Sequence, residues 1–207
     1  MWAAGLAAGV ALVASWKVAR PGFILLGTTV VAGIGFMAAI AGAGLWAAVA
    51  ALLSLGAIYL KISRWAAMPL AGASMLWLDA ANASLSWLIV ISGAVALGGI
   101  TSEMLLGHWY LVDPKLPRRA LKILAVIGAI GIAFDTVLVQ VFAEDSSVIS
   151  PVVLIGLGAT TLVLMVAVWF SLRVPSYTGV MAATGLSYLA TLTALGAVTI
   201  GRAVIQV

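Results

Sequence analysis

The chain contains no cysteine and one histidine, and only 8% of its 207 residues are charged, about a third of the share usual in soluble domains. Without cysteine there is no disulfide, thiolate metal site, iron–sulfur ligation or cysteine nucleophile, and cysteine usage says nothing of the redox compartment. A single histidine rules out a haem held by two histidines of this chain. A haem on His108 would need Met104, a residue of a partner chain or a five-coordinate iron, and the sequence disfavours it. Neither a covalent cofactor nor a metal site is expected. A retinal Schiff base needs a lysine deep in a helix, whereas Lys17, Lys61, Lys115 and Lys122 all lie at the ends of apolar stretches. No nucleophile stands at a recognisable elbow, so hydrolysis is disfavoured as well.

What is present is apolar. Hydrophobic residues make up 65% of the chain, and the mean hydropathy is +1.26. Apolar windows of about 20 residues recur from end to end, separated by very short turns, so the expected fold is an all-α, polytopic transmembrane bundle forming one integral-membrane domain over 1–207. Nothing outside the bilayer is large enough to hold a nucleotide. The net charge of +4 does not point to a nucleic-acid partner, because the cations stand singly or in pairs at helix ends, where membrane topology accounts for them. Met1-Trp2-Ala3-Ala4-Gly5 lacks the basic start of a signal peptide, and the first apolar stretch reads as a retained helix.

Segmentation by apolar runs gives eight helices, at about 2–18, 23–41, 45–61, 66–81, 84–112, 119–142, 149–172 and 177–201. The fourth is marginal for a full crossing, and a re-entrant 66–81 would leave seven spans. Asp79, Asn82 and Ser84 mark the break between the fourth and fifth. Nine of the ten cations then fall on one side, taken as cytoplasmic, with both termini outside and with Glu144-Asp145 on the outer side. A bacterial inner membrane is the expected location. Only Arg202 disagrees with this topology, and a long side chain near a helix end is expected to snorkel to the interface. Twenty-two glycines, with abundant Ala and Ser, supply close-packing faces such as Gly5-Leu6-Ala7-Ala8-Gly9. Trp and Arg stand four apart before a proline in both Trp16–Pro21 and Trp169–Pro175. Interface chemistry explains this echo better than a duplicated hairpin.

An ionisable group in hydrocarbon costs about 2.5–3.5 kcal/mol on insertion scales and asks for a partner or a role. Asp79 lies near an outer helix end and reaches the interface; Glu103 and Asp135 lie deeper and are the informative pair. Glu103, Gly107 and Tyr110 share one helix face, while Met104, His108 and Leu111 line the adjacent one. About 140° separates Glu103 from His108, so the two are expected to serve different neighbours. With Lys115, Arg118, Arg119 and Lys122 at the boundary, this stretch forms a graded polar column. A quinone needs hydrogen-bond donors at its carbonyls, an acid to exchange protons and an apolar place for its tail.

Glu103, His108, Tyr110, Asp135, Arg118 and Arg119 are therefore the candidates for a quinone or proton site between the fifth and sixth helices. The function expected is that of a membrane subunit of a respiratory-type electron-transfer complex, at most a quinone-binding subunit of an oxidoreductase, whose electrons come from partner subunits carrying the redox centres. A small proton-coupled transporter or channel using Glu103 and Asp135, and a purely structural or assembly subunit, are the competing readings.

Overall fold

A computed structural model describes residues 1–18, 20–43, 45–59, 67–82, 86–142 and 151–206. Among them it forms eight α-helices: α1 Trp2–Ser15, α2 Pro21–Ala38, α3 Leu45–Tyr59, α4 Ala67–Asn82, α5 Trp87–Val112, α6 Arg118–Phe142, α7 Pro151–Ser171 and α8 Tyr177–Gln206. No strand occurs among these residues, so the all-α bundle read from the recurring apolar runs holds. Five helices are long and apolar enough to cross a bilayer: α2 with its continuation to Gly42, α5, α6, α7 and α8. The chain is integral to a membrane.

Side-chain size is distributed as a lipid solvent requires. Many large apolar residues point outward, among them Ile40 at 83%, Leu45 at 78% and Val152 at 74% exposure, and the interior mixes alanine with larger side chains such as Phe23 and Leu121. Lipid tails are as apolar as leucine, so no hydrophobic force drives the helices together, and close backbone approach does so instead. Proline at the first position of α2 and of α7 starts each helix where a missing N–H costs nothing. After α2 the chain turns through a five-residue π-type segment, Ala39–Ala43, in which Gly42 takes φ +98°, a conformation open to glycine. The expected turn at Gly42–Gly44 is there, with Gly44 outside the described residues.

The helices pack as two rings. α1, α2, α3 and α4 each touch the next and α4 closes on α1; α5 to α8 repeat the pattern, and α1 lies against α5 to join the halves. The Trp–Arg–Pro echo falls on the first connection of one ring and the last of the other, which is not how a duplicated hairpin would place it. α4, 16 residues long, is one uninterrupted helix antiparallel to α3: Gly56 faces Pro69, Gly72 faces Leu53, and Trp77 Nε1 donates to the Ala47 carbonyl at 3.1 Å. It lies along α3 over its length, while neither α3 nor α4 is among the five helices long and apolar enough to cross.

α5 is the axis of the molecule. A β-carbon on Gly98 would strike the backbone of Gly5 on α1, one on Gly99 would come within 2.5 Å of the Gly128 nitrogen on α6, and one on Gly131 within 2.6 Å of the Ala96 nitrogen. Gly99→Val should therefore overpack the α5–α6 seam at a cost of about 1–3 kcal/mol or more, seen as a lowered melting temperature in detergent. Gly33→Ala, where nothing lies within 4 Å, should melt at or slightly above the wild-type temperature because alanine is the better helix former.

Candidate functional site

Contacts at the helix ends define two poles. Arg20 pairs with Asp113 at 2.8 Å, Gly22 packs on Trp109, and Arg118 reaches the α7–α8 turn, which gathers Lys17, Arg20, Lys115, Arg118, Arg119, Lys122 and Arg173 at one cationic pole. Lys61 and Arg64 lie outside the described residues, as do Glu144 and Asp145. Asp79, exposed, is near the end of α4 away from that pole.

The polar face of α5 turns to α8. Glu103 is fully buried; its Oε2 accepts a hydrogen bond from the Ser187 hydroxyl, and Oε1 has no partner among the described residues. A β-carbon on Gly107 would lie 2.7 Å from Thr184 Oγ1. Tyr110 is buried, its ring centre 6.5 Å from that of Tyr177. Glu103, Gly107 and Tyr110 thus share a face, as their spacing requires. On the adjacent face the Thr191 hydroxyl donates to Met104 Sδ at 3.5 Å, and His108 Nδ1 stands 3.3 Å from the Tyr188 hydroxyl. Glu103 and His108 serve different neighbours, but on one helix: they meet the consecutive residues Ser187 and Tyr188, one buried and the other exposed. His108 is itself exposed on the outer wall of the bundle, so an imidazole–phenol pair faces lipid directly outside a buried carboxyl.

Arg118 is drawn into the turn between α7 and α8. Its guanidinium donates to the carbonyls of Val174, Pro175 at 2.7 Å and Ser176 at 2.9 Å, and its Nε approaches the Tyr110 hydroxyl at 3.5 Å. It satisfies carbonyls of the turn itself, beyond the end of α7 at Ser171, and holds Tyr110 from above. Arg119 points elsewhere, to a groove beside Trp16, and does not join the His108–Tyr188 pair.

Asp135 belongs to a second site at the opposite pole. It is buried, and Arg202 clasps it with both terminal nitrogens, Nη1 to Oδ2 at 2.9 Å and Nη2 to Oδ1. The Ser92 hydroxyl stands 2.5 Å from Oδ1. Arg202 Nη2 also donates to the Ile89 carbonyl at 2.6 Å, and Gly93 leaves the space the guanidinium fills. The expected snorkelling of Arg202 is overturned: α8 runs on to Gln206, so Arg202 is inside the helix and buried. A paired guanidinium satisfies the acid better than water could at that depth. Ser92 and Glu103, each on α5 beside one of the two acids, are separated by about 16 Å of helix axis. The two acids are therefore not one site, nor does the first lie between α5 and α6, whose seam is closed by glycine backbone.

Ser187, Tyr188 and Ser92 were not singled out from the sequence, and Arg202 stood out only as a topological exception. One signal was there for α8, since Thr184, Ser187 and Thr191 stand at i, i+3 and i+7 on one face. A second was the pairing of two anomalies, an unpartnered acid in α6 and a cation on the wrong side. An apolar groove of about 340 Å³ runs between α1, α4, α5 and α6, lined by residues such as Gly9, Leu12, Val95 and Leu124; its Ser74 hydroxyl is held by the Ala4 carbonyl at 2.9 Å. It lies away from His108. Among the described residues no three His, Cys, Asp or Glu side chains gather as a metal site would require. No protein-family model, curated protein or solved structure matches the chain.

Breaking the buried pair from one side should cost about 3–5 kcal/mol, because the partner charge is then stranded. Asp135→Asn and Arg202→Leu should each lower the melting temperature sharply, and the double variant Asp135→Leu, Arg202→Leu should recover much of the loss. A double-mutant cycle by thermal unfolding in detergent checks this; strictly additive losses would show that the two residues act independently.

Proposed function

We propose that the chain is a membrane subunit of an electron-transfer complex whose α5–α8 edge binds a lipid-borne quinone and passes protons, with the cationic pole toward the cytoplasm of a bacterial cell. The observation that carries this reading is the His108–Tyr188 pair, exposed to lipid, with the carboxyl of Glu103 buried on the same helix pair. An imidazole and a phenol offer a donor and an acceptor to a carbonyl that becomes a hydroxyl on reduction. The tail needs no internal cavity here, because the site opens on hydrocarbon.

Glu103 is the proton reserve. Its Oε1 is buried with no partner among the described residues, and Ser187, Thr184 and Tyr110 supply hydroxyls between it and the cationic pole. The chain brings no redox centre, so partner subunits supply and remove the electrons. A transport reading leans on the same Glu103, since Arg202 has already neutralised Asp135.

The test is photo-crosslinking with an azido-quinone in reconstituted liposomes. Labelling should map to α5 and α8 and fall about tenfold in His108→Ala, the loss of roughly one hydrogen bond to a polarised partner. Tyr188→Phe should fall similarly, and Glu103→Gln should retain labelling but slow proton uptake on quinone reduction. Equal labelling of wild type and His108→Ala would overturn the proposal; proton-coupled solute flux abolished by Glu103→Gln, without quinone labelling, would favour transport.

A further inference from the structure

A groove lies at the cationic pole, on the other side of α5 from the His108–Tyr188 pair. Four of the five described arginines are engaged. Arg20 holds Asp113, Arg118 holds the carbonyls of the α7–α8 turn, Arg173 lies over the Trp169 ring at 4.5 Å, and Arg202 holds Asp135. Arg119 has no ion pair or hydrogen bond among the described residues and is exposed. It borders a groove of about 270 Å³ between the end of α1 and the start of α6, whose other walls are Trp16, Val18, Pro117, Ala120 and Ile123.

Among the described residues no acid lines this groove. Asp113, the acid at this pole among the described residues, is already taken by Arg20. Lys122 follows Arg119 by three positions and so lies on the same side of α6, adding a second charge. Trp16 places the groove at headgroup depth, where an indole sits between water and hydrocarbon. From the groove the face of α6 continues into the bilayer through Ile123, then Val126 at 43% and Ile130 at 64% exposure, positions i, i+3 and i+7. A cationic mouth, an indole at headgroup level and an apolar track inward fit a ligand with a phosphate at one end and a hydrocarbon chain at the other.

We propose that this groove binds one anionic phospholipid of the phosphatidylglycerol class, its phosphate on Arg119 and one acyl chain along Ile123, Val126 and Ile130. Guanidinium meets phosphate through paired, charge-assisted hydrogen bonds, and basic pockets between membrane helices recognise such headgroups. Two cations without a neighbouring acid favour a headgroup of net negative charge over a zwitterionic one.

The experiment uses the full chain in nanodiscs of phosphatidylcholine with a minor share of phosphatidylglycerol, followed by mild delipidation and native mass spectrometry. Wild type should retain one phosphatidylglycerol in preference to phosphatidylcholine. Arg119→Gln should lower that population about fivefold, the worth of one cation near a membrane surface, with Arg119→Lys recovering most of it. Lys115→Gln, an exposed cation outside the groove, should change it by less than about twofold. Three results would overturn the proposal: equal loss in Arg119→Gln and Lys115→Gln, which would mean general surface charge; equal retention of both lipids; or displacement by millimolar inorganic phosphate, which would mean a free-phosphate site.

Discussion

Everything in this bundle depends on how closely the backbone of α5 approaches its two neighbours. At Gly98 it meets α1 and at Gly99 it meets α6, so near that no side-chain atom fits between. In water, burial of leucine and valine would hold such helices together; in lipid it contributes almost nothing, and dispersion across bare backbone takes its place. Alanine and glycine accordingly line the closest helix contacts, with large side chains such as Phe23, Leu121 and Ile132 filling the space between them.

Close approach on those sides directs the polar groups of α5 to what remains. Glu103, Gly107 and Tyr110 meet Ser187, Thr184 and Tyr177 of α8. Thr184 donates to the Val180 carbonyl one turn earlier on α8, and the single hydroxyl protons of Ser187 and Thr191 each have such a carbonyl as the alternative acceptor to Glu103 and Met104. That bond lets a hydroxyl sit in hydrocarbon without an unpaired donor. Glu103 differs from Asp135 in having no cation beside it: among the described residues its Oε1 has no partner, where an orphaned carboxyl oxygen is costly, while Arg202 holds both oxygens of Asp135. Groups kept under such a cost belong to function more often than to packing, and this is why the proposed chemistry is centred there and not on Asp135.

Asp135 and Arg202 do the opposite work. Their ion pair, with Ser92 and the Ile89 carbonyl, ties α5, α6 and α8 at the pole far from the cations. A buried pair seldom adds net stability over apolar residues, but it penalises any arrangement that separates its members. It fixes the register of α8 against α5, and that register sets Ser187 beside Glu103 and Tyr188 beside His108.

The sequence by itself determined the helices, because a bilayer imposes one rule that can be read locally: every backbone group must be bonded within its own segment, over a run of apolar residues long enough to cross. It also located the polar face of α5, since residues four and seven apart must share a side. Only the tertiary structure decided which helix that face meets. Small residues mark several faces as able to pack closely but do not name the partner, and Arg202 gave no sign in its own surroundings that it would reach an acid on another helix. Partner choice is a property of the assembled bundle, in which glycine contacts claim α1 and α6 for α5 and leave its acid, imidazole and phenol to α8.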